Sequence, residues 1–151
     1  METEEKYFTF KVKTNFNSKK RFDQCGIVMY LNSENWLKAS IEYENEKIQH
    51  LGSVVTNNGF SDWANCVIST KNKEMWYRFS RRCDDYCIEN SEDGINFNQM
   101  RVCICLKEME KLLLVFMLLV LKILLLMIFL VIWNLVSVFG RNIKDRNLII
   151  K

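Results

Sequence analysis

Residues 36–43 read WLKASIEY, and their alternation decides the fold class. Leu37, Ala39, Ile41 and Tyr43 fall on one side, and Trp36, Lys38, Ser40 and Glu42 on the other. A period of two marks a strand with one buried face and one wet face. Upstream, YFTFKVK (7–13) alternates in the same way, with Phe8, Phe10 and Val12 on one side. GIVMYL (26–31) is continuously apolar, as a central strand would be. Downstream, strands are expected at 51–56, 66–69, 75–81 and 86–90, with Asn57-Asn58-Gly59 and Ser91–Gly94 as turn signals. Short strands, frequent turns and no convincing amphipathic helix predict an all-β two-sheet sandwich.

Composition narrows the function. The chain has 151 residues, enough for one domain with a real core, and a net charge of +3. Lys and Arg are interspersed with Asp and Glu along residues 1–101, so no basic stripe favours nucleic acid. The start, METEEKYFTF, is acidic and lacks an apolar core, so no secretory signal is expected there. Six cysteines without such a signal fit a reducing compartment, which predicts free thiols and a cytoplasmic location. Cys83-x3-Cys87 and Cys103-x-Cys105 do not have the spacing of paired zinc knuckles, and the single histidine, His50, lies far upstream. No metal and no cofactor are expected.

Five segments carry a resemblance: FDQCGIVMY (22–30), NWLKASIEYE (35–44), LGSVVTNNGFSDW (51–63), MWYRFSRR (75–82) and NSEDGINFNQMR (90–101). In this order they resemble the regulation-of-enolase-protein-like family, a set of concanavalin A-like jelly-roll domains of poorly defined function. The resemblance covers residues 5–102 and implies a sandwich of lectin or glucanase architecture. It also implies closing strands after the position of Arg101, opening on a glycine and a motif FG-x-Y-A-x-SP, which this chain lacks. The sandwich is therefore expected to be truncated at its C-terminal strands.

Residues 103–151 read differently. Leu112–Phe139 carries one charge, Lys122, and is long enough for a transmembrane helix. Two origins are open. One is a true membrane anchor. The other is translation out of frame from about Val102, which is the favoured reading. With allowed codons, the neighbouring frame from Cys103 can read HLFKGDGKITFGVYAFSPKNSSF, restoring the family ending. Phe116-Met117 and Ile132-Trp133-Asn134 are the positions where the codons leave least choice. Membrane association is expected only if the 112–139 segment is expressed and inserted. The flanking charges would then leave the tail cytosolic and the domain outside, at odds with an unsignalled, thiol-rich domain.

For chemistry, Trp36, Lys38 and Glu42 share the wet side of one strand, and Trp76 and Arg78 one side of another. An aromatic flanked by charged hydrogen-bonding groups suits a sugar: the ring covers C–H faces, and Lys, Arg and carboxylate hold hydroxyls. The resemblance implies that these positions lie on one sheet face. The competing reading is a salt-bridged face under the tryptophans. Asp23, Gln24 and Gly26 and the run Ser61, Asp62, Trp63 match family motifs. Asp and Ser beside turns fix loops, and Trp63 is expected in the core or packed on a turn, with the rim of a ligand site as the less favoured alternative. Asp93-Gly94 reads as a hairpin turn, and Arg101 as a partner for a carboxylate across the sheet. Three glutamates alternate in EYENE (42–46), as in sandwich glucanases, but the last two fall in an expected turn. The residues thus point to a non-catalytic carbohydrate- or metabolite-binding module. The alternatives are a glycoside-active enzyme of glucanase-like type and a protein-interaction module regulating a metabolic enzyme.

Overall fold

The computed structural model describes residues 2–105, 112–119 and 147–149. Among the described residues eleven strands form two sheets: β1 (Glu2–Thr3), β2 (Tyr7–Asn15), β3 (Gln24–Asn32), β4 (Asn35–Tyr43), β5 (Ile48–Asn57), β6 (Phe60–Ser69), β7 (Glu74–Arg82), β8 (Asp85–Ser91), β9 (Asn98–Ile104), β10 (Leu112–Leu119) and β11 (Asn147–Ile149). A six-stranded sheet runs β1-β10-β3-β4-β5-β6, and a five-stranded sheet runs β11-β2-β7-β8-β9. Pairing is antiparallel except between β11 and β2. No helix occurs among the described residues, and so none there is long and apolar enough to cross a membrane.

The core is the interleaf between the sheets. Cys25, Ile27 and Met29 of β3, Leu37, Ala39 and Ile41 of β4, and Leu51 and Val55 of β5 enter it from one side. Val12, Met75, Tyr77, Phe79, Tyr86 and Ile88 enter it from the other. The expected alternation of β4 holds: Leu37, Ala39 and Ile41 are fully covered, while Trp36, Lys38 and Glu42 are only partly so. Asn58 and Gly59, at φ 49° and 82°, make the two-residue turn joining β5 to β6, a conformation that suits the right-handed twist of the strands.

Two expectations change. The transmembrane-like helix predicted over 112–139 is not what its first part forms. Residues 112–119 are β10, paired with β3 so that Phe116 stands opposite Ile27 and Met117 opposite Gly26. A uniformly apolar run has no periodicity to separate helix from strand, and β3 offers an edge whose backbone groups need partners. Residues 120–139 of that segment lie outside the described residues. Strands β10 and β11 thus add to the sheets from beyond residue 102.

Candidate functional site

Register places four rows of side chains across the outer face of the six-stranded sheet. Gln24, Glu42, His50 and Val67 form one row, and Gly26, Ser40, Gly52 and Asn65 the next. Val28, Lys38, Val54 and Trp63 form the third, and Tyr30, Trp36, Thr56 and Ser61 the fourth. The second row is a shallow trough because three of its four residues, Gly26, Ser40 and Gly52, are small. A Cβ on Gly26 would sit 2.0 Å from the Ala39 carbonyl oxygen, and one on Gly52 2.9 Å from Trp63 Nε1. The Trp63 indole therefore lies over Gly52, yet 58 % of the residue stays exposed. That corrects the expectation of a core or turn-packing tryptophan: Trp63 is on the outer face of β6, where no second sheet covers it.

A hydrogen-bonded chain crosses this trough. Lys38 Nζ donates to Gln24 Oε1 at 2.9 Å, Ser40 Oγ approaches the same oxygen at 3.5 Å, and Gln24 Nε2 donates to Glu42 Oε2. Burial pushes the Lys38 amine below its usual range, and the Glu42 charge partly offsets this. Beside Glu42, the Nδ1 of His50 is buried and has no hydrogen-bond partner. The site can thus offer an ammonium, amide and carboxylate in a line, with indole rings at Trp36 and Trp63 in the rows beyond.

Trp76 and Arg78 are elsewhere. They lie on the outer face of the five-stranded sheet, so the five candidate residues occupy opposite sides of the sandwich instead of one face. Arg78 forms a bidentate pair with Glu89, both bonds at 2.6 Å, and its guanidinium lies 4.1 Å from the Phe97 ring centroid. That pairing raises the Arg78 pKa. Lys11 sits 5.4 Å from the Trp76 ring and 5.8 Å from Phe97, and Lys13 pairs with Glu74 at 2.7 Å.

The motif residues act in turns and between sheets. Asp23 Oδ2 accepts from the amides of Lys19 and Lys20, both at 2.9 Å. Asp93 Oδ1 accepts from the amides of Ile95 and Asn96 and from Ser91 Oγ, each at 2.8 Å, which holds its carboxyl well below the usual range. Gly94, at φ 75°, completes that turn. Ser61 Oγ is 2.8 Å from Thr56 Oγ1. Arg101 reaches across the sandwich, donating to Ser53 Oγ at 3.1 Å and pairing with Asp62 at 3.2 Å. β4 ends at Tyr43, so Glu44 and Glu46 lie in the following turn, where Glu44 pairs with Arg21 at 2.8 Å.

Sequence reading missed Ser40, His50, Gly52 and Asn65 at the trough. Each sits on the wet side of its strand, a parity visible in the sequence, but only register shows that they adjoin Glu42 and Lys38. None of the six cysteines is in a disulfide, and the described residues hold no group of three His, Cys, Asp or Glu placed for a metal ion.

Comparison with known proteins agrees with this fold. Regulation of enolase protein 1 of Saccharomyces cerevisiae is 35 % identical over 71 residues, which cover 47 % of this chain and 35 % of that protein. A solved structure of a functionally unknown S. cerevisiae protein superimposes with a TM-score of 0.71 at 28 % identity, covering 80 % of this chain and 63 % of that one. A GH43 protein of Bacillus licheniformis shares the fold at a TM-score of 0.57 and 17 % identity, over 66 % of this chain and 19 % of its own. The chain thus spans about a third of the yeast enolase-regulation protein and 63 % of the solved yeast protein. The family model for proteins of unknown function DUF1349 matches residues 1–117, from β1 into β10, and the chain belongs to that family.

Proposed function

We propose that the outer face of the six-stranded sheet binds a polyhydroxylated small molecule, a carbohydrate or sugar-like metabolite, without transforming it. The observation that carries this reading is the Lys38–Gln24–Glu42 chain laid across the Gly26–Ser40–Gly52 trough. A sugar ring needs a floor free of bulky side chains, donors and acceptors for its hydroxyls, and an aromatic surface for its C–H faces. Ammonium and amide supply donors, the carboxylate accepts, and Trp36 and Trp63 supply the rings. Glycoside hydrolysis ordinarily needs two carboxylates flanking the bond. Among the outer-face residues of β3 to β6, Glu42 is the one acid, and Glu2 of β1 falls in the far Tyr30 row, which favours binding over turnover.

Titration of the full chain against a glycan panel tests the reading. Trp36→Ala is expected to weaken binding by about 1–3 kcal/mol, as loss of an aromatic anchor does, with little change in melting temperature. Glu42→Gln is expected to weaken it too, through lost acceptor capacity. Unchanged affinity in both variants overturns the proposal, and release of a reducing sugar moves it to the glycoside-active alternative.

A second reading rests on the name of the yeast relative: an interaction module that regulates a metabolic enzyme. Purified enolase retained by both the wild-type chain and Trp36→Ala would favour it.

Whether the written tail serves this function depends on the gene. We propose that the codons after Arg101 are read out of frame, although the family match and β10 both extend into that segment. A neighbouring frame open through family-like closing strands supports this; stop codons or unrelated residues there end it. Cytoplasmic placement of the domain is part of the same proposal. Fractionation of the tagged full chain checks it, with recovery in membranes as the contrary result.

A further inference from the structure

Among the described residues, strand β6 is exposed on both faces and is paired along one edge only. It ends the six-stranded sheet, and its positions from Phe60 to Val67 are all exposed, including Asp62, Ala64 and Cys66 on the side that faces inward in β5. The five-stranded sheet therefore does not cover it. Phe60 is 84 % exposed, Trp63 58 % and Val67 59 %.

Natural edge strands are usually protected by lysine, proline, a bulge or an inward charge. The segment FSDWANCVIS has no lysine or proline, and its register with β5 runs unbroken from Asn57↔Phe60 to Ile48↔Ser69. Its one charge, Asp62, is paired with Arg101. The other sheet ends differently, because β9 has a register shift between the rows of Ile88 and Glu89 and carries Arg101.

We propose that β6 pairs antiparallel with β6 of a second copy of this chain, about a two-fold axis at Asn65, joining the two six-stranded sheets into one. The hairpin geometry sets which backbone groups are free. In a two-residue hairpin the pair closing the turn, Asn57 and Phe60, exchanges both hydrogen bonds, and such pairs alternate along the ladder. Residues 60, 62, 64, 66 and 68 thus turn their amides and carbonyls toward β5, and 61, 63, 65, 67 and 69 turn theirs to the open edge. An axis at Asn65 sets Ser61 opposite Ser69, and Trp63 opposite Val67, of the second copy, so every free group within 61–69 meets another. It also makes an aromatic–β-branched pair on the outer face, a favourable cross-strand combination. No like charges are brought opposite each other, since Asp62 faces Ile68 of the second copy. This inference rests on β6 alone and does not depend on the proposed ligand site.

The register makes the test specific. Ala64 stands opposite Cys66 of the second copy in a non-hydrogen-bonded pair, where the side chains approach most closely. Ala64→Cys in the full chain is expected to give a disulfide-linked dimer on mild oxidation. Wild type under the same conditions, and Ala64→Cys combined with Cys66→Ser, should give none. Val67→Lys, at an exposed position, should abolish the dimer in sedimentation while the melting temperature stays within a few degrees. Overturning results are a monomeric wild type at every concentration, with the edge left to a strand of another protein, cross-linking of Ala64→Cys that survives Cys66→Ser, or a dimer indifferent to Val67→Lys.

Discussion

On the five-stranded sheet, Arg78 gives both ends of its guanidinium to Glu89 and lays its plane near Phe97, while Lys11 and Lys13 sit over Trp76. On the six-stranded sheet, Lys38 reaches one amide oxygen, Glu42 one amide nitrogen, and His50 keeps a buried nitrogen without a partner. The residue types are the same, tryptophan with a cation and a carboxylate, but their pairing differs. Where Arg78 and Lys13 already have their carboxylates and the Trp76 and Phe97 rings their cations, a ligand has to break what exists. Where a charged chain lies across a glycine floor, a ligand can extend it. Composition cannot distinguish these faces; pairing can.

The largest expected effect tests the floor. Gly26→Ala would push a Cβ to 2.0 Å from the Ala39 carbonyl and 2.6 Å from the Ser40 Cα, so the backbone of β4 must move. Overpacking of this kind costs about 3 kcal/mol, read as a lowered urea midpoint. Gly94→Ala, on the other sheet, meets the Trp76 ring at 2.7 Å, which can swing aside. Its left-handed φ of 75° adds strain, about 1–2 kcal/mol. Equal losses in the two variants would mean that the trough is no more tightly built than a surface turn.

Next in size is the binding contrast. Trp36→Ala should lower ligand affinity by about 1–3 kcal/mol, whereas Trp76→Ala should leave it unchanged. A loss confined to Trp76→Ala would move the site to the five-stranded sheet.

Sequence reading locates β2 to β5, β7, β8 and only the last four residues of β6, because each carries alternation or an apolar run between turn residues, and the wet side of β4 follows from the same parity. Parity says which side of its own strand a residue occupies; it does not say which sheet the strand joins. That is why Trp76 and Arg78 were expected beside Trp36 when β7 pairs with β2 and β8. β9 escaped notice because NQMRVCI does not alternate: the register shifts around Met100, and Arg101 occupies an inward position where it bonds Ser53. β10 was read as helix because a run without polar residues has no period at all. Trp63 is expected in the core or against a turn because tryptophan is usually well covered, and nothing local announces that β6 overhangs the second sheet.

A smaller effect concerns alkali. Burial raises the thiol of Cys25 to about 12 and that of Cys103 to about 11, from an ordinary 9.0, and the Tyr86 hydroxyl to about 12 from 10.0. The folded chain therefore holds these protons more tightly than the unfolded one. Their contribution to stability is complete below about pH 9 and is lost as pH rises toward 11–12. By pH 10 the loss from Cys25 alone is on the order of 1 kcal/mol. Melting temperature should be level from pH 6 to 8 and fall beyond 9, less steeply in Cys25→Ala. A level profile to pH 11 would show that neither side of the core excludes water well enough to hold the neutral forms.

The smallest effect bears on the saturated face itself. The Arg78 and Glu89 side chains are 33 % and 16 % exposed, so solvent screens their attraction, but the bidentate geometry fixes both partners. A double-mutant cycle with Arg78→Ala and Glu89→Ala should return a coupling of about 0.5–1 kcal/mol, and Phe97→Ala should lower it by removing the ring under the guanidinium. Ligand affinity should stay constant around the whole cycle. Zero coupling would mean that the pair is not formed in solution, leaving Arg78 as available as Lys38. Loss of affinity in Arg78→Ala would show that a face with its charges paired can still bind, and the contrast between the two sheets would then no longer locate the site.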